Sequence, residues 1–330
     1  MNIRRIIYPF MLMLLMAFTG GCIHEYPDGK GENPTTVNIG IELIFDLRWE
    51  NLLYNPKISQ SRAKNLKNHR FVIELSRNGE TYKRDYLYLS DEEFSEGIYR
   101  HKLSFPLSAR DYDIGVWYDQ VPDSEDFAFY NIDDLSNISL LATGITDVSK
   151  HYSAFGTSSL NLREFEGIAG ATATVTVELK HSGAIFQIIA TDIQKFITDN
   201  RPALLQGEFY NLKLEFVSGS SGTLNLYKGE IDHSFSISER RGDLELPFAV
   251  YDELKIAEAF LLCEEEENIK LSLIVYNSAQ MIVTRTEPFS IPLKRGYITT
   301  VTGEFLSNPL NGAIIIDNIW EGEYNIEINN

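Results

Sequence analysis

The sequence predicts an all-β protein built from two β-sandwich domains, and three observations carry that expectation. Tyr, Phe, Val and Ile recur in short runs with a period of two, the signature of strands buried on one face. Clusters of turn residues separate these runs. Helical periodicity is nearly absent, which argues for sandwiches over an α/β sheet. At 330 residues the chain exceeds what one core usually organises, so two units are expected, and its 44% hydrophobic content suffices for both.

The N-terminus reads as an export signal. Arg4 and Arg5 form a positive start, Ile6 to Phe18 is an apolar run broken only by Pro9, and Thr19-Gly20-Gly21 supplies small residues before Cys22. The run is too short for a permanent span, because a hydrocarbon core of about 30 Å takes about 20 residues. A small-small-Cys ending is the pattern of a lipoprotein signal, which puts residues 1–21 in the signal and makes Cys22 the acylated first residue of the mature chain. The competing reading is an ordinary secretory signal with an incidental cysteine. Residues 22–36 follow as a polar tether, with Gly and Pro that argue against a helix.

The strand candidates come next, in order. Val37–Leu43 alternates cleanly, and His69–Leu75 leads into Asn78-Gly79, a two-residue hairpin turn. Tyr99–Leu107 and Tyr112–Tyr118 continue the series. The Gly-rich stretch Gly167–Gly170 marks the expected boundary, giving domains 37–170 and 171–330. Beyond it lie Ala171–Leu179, Ala184–Ala190, Asn211–Val217, Thr223–Tyr227, Ser234–Ser238, Ile269–Tyr276, Met281–Thr286, Tyr297–Phe305, Ala313–Ile316 and Glu323–Ile328. Asp192–Asp199 has the spacing for two helical turns, and Tyr251–Leu262 suits helix or strand equally.

The chemistry of the side chains excludes more than it suggests. A net charge of −18 repels nucleic acid and anionic lipid headgroups, so membrane attachment has to come from acyl chains. With Cys22 lipidated, Cys263 has no partner for a disulfide and reads as a small buried hydrophobe. The six histidines are scattered, without a metal-binding spacing. Gly219-Ser220-Ser221-Gly222 reads as a hairpin turn rather than a nucleophile elbow. Arg241-Gly242-Asp243 matches the tripeptide that integrins recognise, but three residues recur easily by chance, and between alternating segments it reads as a turn. No catalytic constellation, metal site or cofactor is expected. Two features have open readings. Asp119, Asp123, Glu125, Asp126, Asp133 and Asp134 form either a calcium-binding loop or a solvated acidic one. Tyr82, Tyr86 and Tyr88 either stack on sugars or pack a sandwich face.

Several segments, in order along the chain, resemble the fimbrillin-like outer-membrane lipoproteins of Bacteroidetes. They are Cys22–Asp28 (CIHEYPD), Tyr112–Asp119 (YDIGVWYD), His151–Thr157 (HYSAFGT), Val175–Asp192 (VTVELKHSGAIFQIIATD) and Ser290–Leu306 (SIPLKRGYITTVTGEFL). Two departures stand out: the tyrosine is missing before Gly156, and Gly296 stands where Asn is usual. The resemblance implies two tandem transthyretin-like (Greek-key) sandwiches and an anchor or accessory subunit of a surface fimbria. It also implies attachment to the outer membrane through acylated Cys22, and fimbrial subunits as partners by strand addition.

The sequence can be set against that scheme. Shaft subunits of the family are cut after Arg or Lys ahead of the first strand, and here only Lys30 lies between Cys22 and Val37. The first strand is therefore expected to stay in its own groove. At the C-terminus, Tyr324, Ile326 and Ile328 share one face of a strand that is either donated to a partner or paired within its own sheet. A surface glycan-binding lipoprotein on the same scaffold is the alternative function.

Overall fold

The computed structural model of the chain describes residues 35–44, 68–90, 93, 98–121, 129–141, 153–218, 222–234, 238–246, 252–307, 315–318 and 324–327. These residues are overwhelmingly β, as expected. The first half contains β1 (Thr36–Ile44), β2 (Asn68–Arg77), β3 (Glu80–Ser90), β4 (Ile98–Lys102), β5 (Leu107–Ser108) and β6 (Asp111–Val121). It continues with β7 (Tyr130–Asn131), β8 (Ser139–Leu140), β9 (Ser153–Asn161), β10 (Thr172–Glu178) and β11 (Lys180–His181). The second half begins with β12 (Gly183–Ala190), α1 (Ile193–Leu204), β13 (Tyr210–Ser218), β14 (Thr223–Asn225), β15 (Glu230–Asp232) and β16 (Glu239–Leu244). It closes with β17 (Leu254–Leu262), β18 (Glu266–Asn277), β19 (Ile282–Arg285), β20 (Phe289–Lys294), β21 (Ile298–Gly303), β22 (Ile315–Asn318) and β23 (Tyr324–Glu327).

Each half is a pair of sheets around its own core. In the first, the sheet β10-β1-β4, with β5 also on β1, faces the sheet β11-β9-β6-β2-β3. Val37, Ile39, Ile41 and Leu43 of β1 meet Phe71, Ile73, Ile114 and Val116 in that core. The Asn78-Gly79 turn joins β2 to β3 as expected, both residues adopting the positive φ that this hairpin requires. In the second half, β17-β12-β21-β22-β23 faces β16-β13-β18-β19, with β20 also on β18. Phe186, Ile188, Leu212, Leu271, Ile291 and Val301 fill the space between them.

The helix α1 runs longer than the two turns expected, reaching Leu204 with Pro202 in its last turn. Ile193 and Phe196 enter the second core. Asp192, just ahead of it, makes no side-chain cap. Its Oδ2 instead accepts the Leu306 and Ser307 N–H groups at 2.9 and 2.5 Å, fixing the exit of β21. Tyr251–Leu262, open between helix and strand, is the strand β17 over Leu254–Leu262.

The first strand after the expected boundary at residue 170, β10, pairs in parallel with β1 from Asn38↔Thr172 to Ile44↔Glu178. Gly167 and Gly170 both take positive φ where the chain turns back beside β1. Among the described residues, the second core begins at β12.

A hydrogen-bonded contact ties the two sheets of the first half together. His101 Nε2 on β4 lies 3.2 Å from Asp85 Oδ2 on β3, and Asp85 also accepts the Ser104 N–H and hydroxyl at 3.0 and 3.1 Å. Burial alone would raise the Asp85 carboxyl. The hydrogen bonds from Ser104 and His101 outweigh it and hold the group below its ordinary range.

Two measurements check this account. Ile41→Ala removes a fully buried side chain from the strand that closes the first core, and its unfolding free energy in urea is expected to fall by about 2–5 kcal/mol. A loss no larger than that of the neighbouring outward position, Glu42→Ala, would contradict the placement of β1. Because the Asp85 carboxyl is depressed in the folded state, its contribution is complete above the unfolded value of about 3.9 and disappears as pH falls through the lower folded value. Asp85→Asn is expected to flatten that acidic limb of the stability curve, read by thermal unfolding across pH.

Candidate functional site: strand edges and the joint between the halves

The first strand occupies its own groove. Residues Gly40–Ile44 of β1 pair with β4, and residues Asn38–Ile44 pair with β10 on the other side, while Thr36 and Val37 meet β5. Its alternate side chains Val37, Ile39, Ile41 and Leu43 are fully buried. The expectation that this strand stays in its own sheet agrees with that pairing.

At the other terminus the chain adds two strands in succession. β22 runs antiparallel to β21 from Thr299↔Asn318 to Thr302↔Ile315, and β23 runs antiparallel to β22 from Ile315↔Glu327 to Asn318↔Tyr324. Tyr324 and Ile326 are in β23, at the outer end of the five-stranded sheet; Ile328 lies outside the described residues.

Between the halves lies a third core that alternation alone did not reveal. Val72, Trp117 and Phe155 project from the outer face of the first half's five-stranded sheet. They meet Ile185, Leu224, Leu226, Phe260 and Leu262 of the second half, with Tyr130, Leu135 and Ile138 from the segment after β6. Trp117 packs edge-on to Tyr130 at 5.1 Å, and Tyr130 edge-on to Phe260 at 6.4 Å.

Polar groups lock this joint. Ile138 and Leu224 exchange backbone hydrogen bonds of 2.9 and 2.8 Å, a bridge that crosses from one half to the other, and Leu226 donates to Leu135 O at 2.9 Å. Tyr227 donates its hydroxyl to Glu74 Oε1 at 2.6 Å, while Arg84 pairs with the other oxygen of the same buried carboxylate. Arg295 sets its guanidinium 5.2 Å over the Phe155 ring and donates to Cys263 O at 3.0 and 2.7 Å and to Gly229 O at 3.1 Å. Gly115 makes the contact close: a Cβ there would fall 2.9 Å from Leu226 and 3.0 Å from the Tyr227 ring.

The remaining residues singled out from the sequence scatter. Cys22 lies outside the described residues. Cys263 is buried as expected, and burial pushes its thiol well above the ordinary value. Asp119 belongs to no acidic loop; it is buried on β6 and takes a two-pronged pair from Arg70 at 2.8 and 2.5 Å. Asp123, Glu125 and Asp126 lie outside the described residues, and no cluster of three metal-ligating side chains occurs among the described ones. The three tyrosines part company. Tyr82 turns inward against Tyr112 near the β2–β3 bulge, while Tyr86 and Tyr88 stay 47% and 56% exposed. Arg241-Gly242-Asp243 is strand rather than turn, paired with Leu212 and its neighbours on β13. Of Gly219–Gly222, only Gly222 is described.

Among the described residues, the fold and the joint define an almost entirely β protein of two stacked double sheets. The chain belongs to the family DUF6562, a family of unknown function whose model matches residues 34–329. No curated protein matches the sequence. Among solved structures it is similar to the fimbrial anchor protein Mfa2 from Porphyromonas gingivalis, at 12% identity and a TM-score of 0.44, covering 88% of this chain and 99% of that one. It is also similar to a fimbrial assembly protein from Parabacteroides distasonis, at 10% identity and a TM-score of 0.36, covering 88% and 99%. A candidate adhesin from Bacteroides ovatus matches at 9% identity and a TM-score of 0.42, covering 88% and 96%. No described helix is long and apolar enough to cross a membrane.

The joint is testable at Gly115. Gly115→Val is expected to overpack the contact with Leu226 and Tyr227, costing about 1–3 kcal/mol and separating one calorimetric unfolding transition into two. A single transition at the wild-type temperature would show that the halves do not depend on this contact.

Proposed function

We propose that the protein is a structural, non-enzymatic anchor or accessory subunit of a cell-surface fimbria. In this reading acylated Cys22 holds it at the outer membrane, residues 23–36 form the tether, and other fimbrial subunits join it by strand addition. The two sandwiches are transthyretin-like and in tandem, and the division between them falls at Gly183, after β10 and β11.

The observation that carries the reading is the opposite treatment of the two terminal strands. β1 is paired on both sides and its apolar face is buried, so the groove it occupies is closed to an incoming strand. β23 ends its sheet, where a neighbouring subunit has main-chain groups to pair with. A subunit closed at one end and extendable at the other terminates a polymer. That is what an anchor requires.

The reading is tested by gentle detergent pull-down from native outer membranes, comparing wild type, Cys22→Ala and a chain ending before residue 315. Wild type is expected to bring down a ladder of fimbrillin-like chains. Cys22→Ala should leave the membrane fraction, and the truncated chain should stay in it without the ladder. A monomer that carries polysaccharide and no other subunit would favour the surface glycan-binding alternative instead.

A further inference from the structure

A cleft of about 420 Å³ opens beside the joint, with walls from both halves. On one side the outer edges of β9 and β10 converge, contributing Thr157, Thr176 and Glu178; on the other stands the turn between β14 and β15, with Tyr227, Lys228 and Gly229. Lys180 lies between them. Two glycines shape the space. A Cβ on Gly156 would fall 2.3 Å from Glu178 O, so glycine there lets β10 close against β9. Gly229 takes a φ of +69°, turning the chain so that its Cβ position faces Phe155 and the Lys180 ammonium at 3.6 and 3.7 Å.

The charge in this cleft is unusual for the molecule. Most of a chain with net charge −18 repels anions. Lys213, Lys255 and Lys294 are each tied to a carboxylate. Lys180 instead rests 5.0 Å over the Phe155 ring, and among the described residues neither it nor Lys228 has a carboxylate partner. Two lysines, one glutamate (Glu178) and two threonines therefore line one small concave space.

We propose that this cleft binds a carboxylate-bearing saccharide. Lys180 and Lys228 would hold the sugar's carboxylate by charge-assisted hydrogen bonds. Glu178 accepts hydrogen bonds from ring hydroxyls, Thr157 and Thr176 donate or accept as needed, and its negative charge disfavours a bare inorganic anion in the same place. The Tyr227 ring supplies an apolar wall for the C–H face of the sugar, and its hydroxyl, committed to Glu74, fixes the ring's orientation. The volume accommodates one or two sugar rings. The assignment is independent of the fimbrial reading, since a chain that joins no fimbria still has the cleft.

The test is saturation-transfer-difference NMR on the full-length chain, followed by titration. The probes are glucuronate, galacturonate and N-acetylneuraminate, with glucose, inorganic phosphate and a tetra-aspartate peptide as comparators. At least one sugar acid is expected to bind in the millimolar range or tighter, and at least about tenfold better than glucose or phosphate. Lys180→Gln with Lys228→Gln should weaken it by at least about tenfold, while Tyr86→Ala on the distant edge strand leaves it unchanged. The proposal is overturned if none of the three acids binds at about 20 mM, if phosphate binds as well as they do, or if the double variant binds like wild type. Tighter binding of the peptide would assign the cleft to an acidic polypeptide instead.

Discussion

The outer face of one sheet governs the rest of this molecule. A sandwich normally buries its inner faces and wets its outer ones, but Val72, Trp117 and Phe155 make the outer face of the first half apolar. Left in water, that face would be a large exposed patch. It has to be covered, and the Leu224–Ile231 hairpin, Phe260 and Leu262 cover it. Once they do, Glu74 loses water and needs both Tyr227 and Arg84, and the carbonyl of Cys263 needs Arg295. The polar locks follow from the apolar contact rather than the reverse.

This constraint explains which parts of the structure were legible in the sequence. Strands buried on one face, such as β1, announce themselves by alternation, and Asn78-Gly79 announces its own turn. The segment Val116-Trp117-Tyr118 was equally visible as a strand, yet its lack of alternation carried a second message. All three residues are buried because the sheet is covered on both sides. The signal for the joint was present as a continuous apolar run. Parallel pairing of β10 with β1 left no such mark, since nothing local distinguishes a glycine that turns a chain back from one that links two domains. The strand face of Tyr82 was hidden by the bulge between Leu75 and Ser76, which shifts the register by one and moves a side chain to the opposite side. Of the candidate site residues, Tyr324 and Ile326 fall in a strand as read, and Arg241-Gly242-Asp243 was mistaken for a turn because its Gly outweighed its strand-forming flanks.

The same covering places chemistry where neither half would have it. Phe155 carries Arg295 and Lys180 over its ring. One of these cations belongs to the second half and one to the last strand of the first. The cleft beside them exists only while the halves are joined, so whatever occupies it reads their relative position. The joint itself is held by an apolar core with backbone hydrogen bonds across it.

The pairing of β1 has a kinetic side as well. Its groove has one wall until β10 is made, and the Gly167 N–H reaches Thr35 Oγ1 across 132 residues of sequence. Closing so long a loop costs entropy that the contacts repay only at the end, and folds dominated by such contacts form slowly. Among the described strands, β1 therefore gains its second long partner only once β10 is made, although it comes earliest in the sequence. During that interval the half-built sheet is open along its length to any strand that fits its register. How long the groove can be entered is thus set by the folding rate of the first half, whatever the stability of the finished sheet.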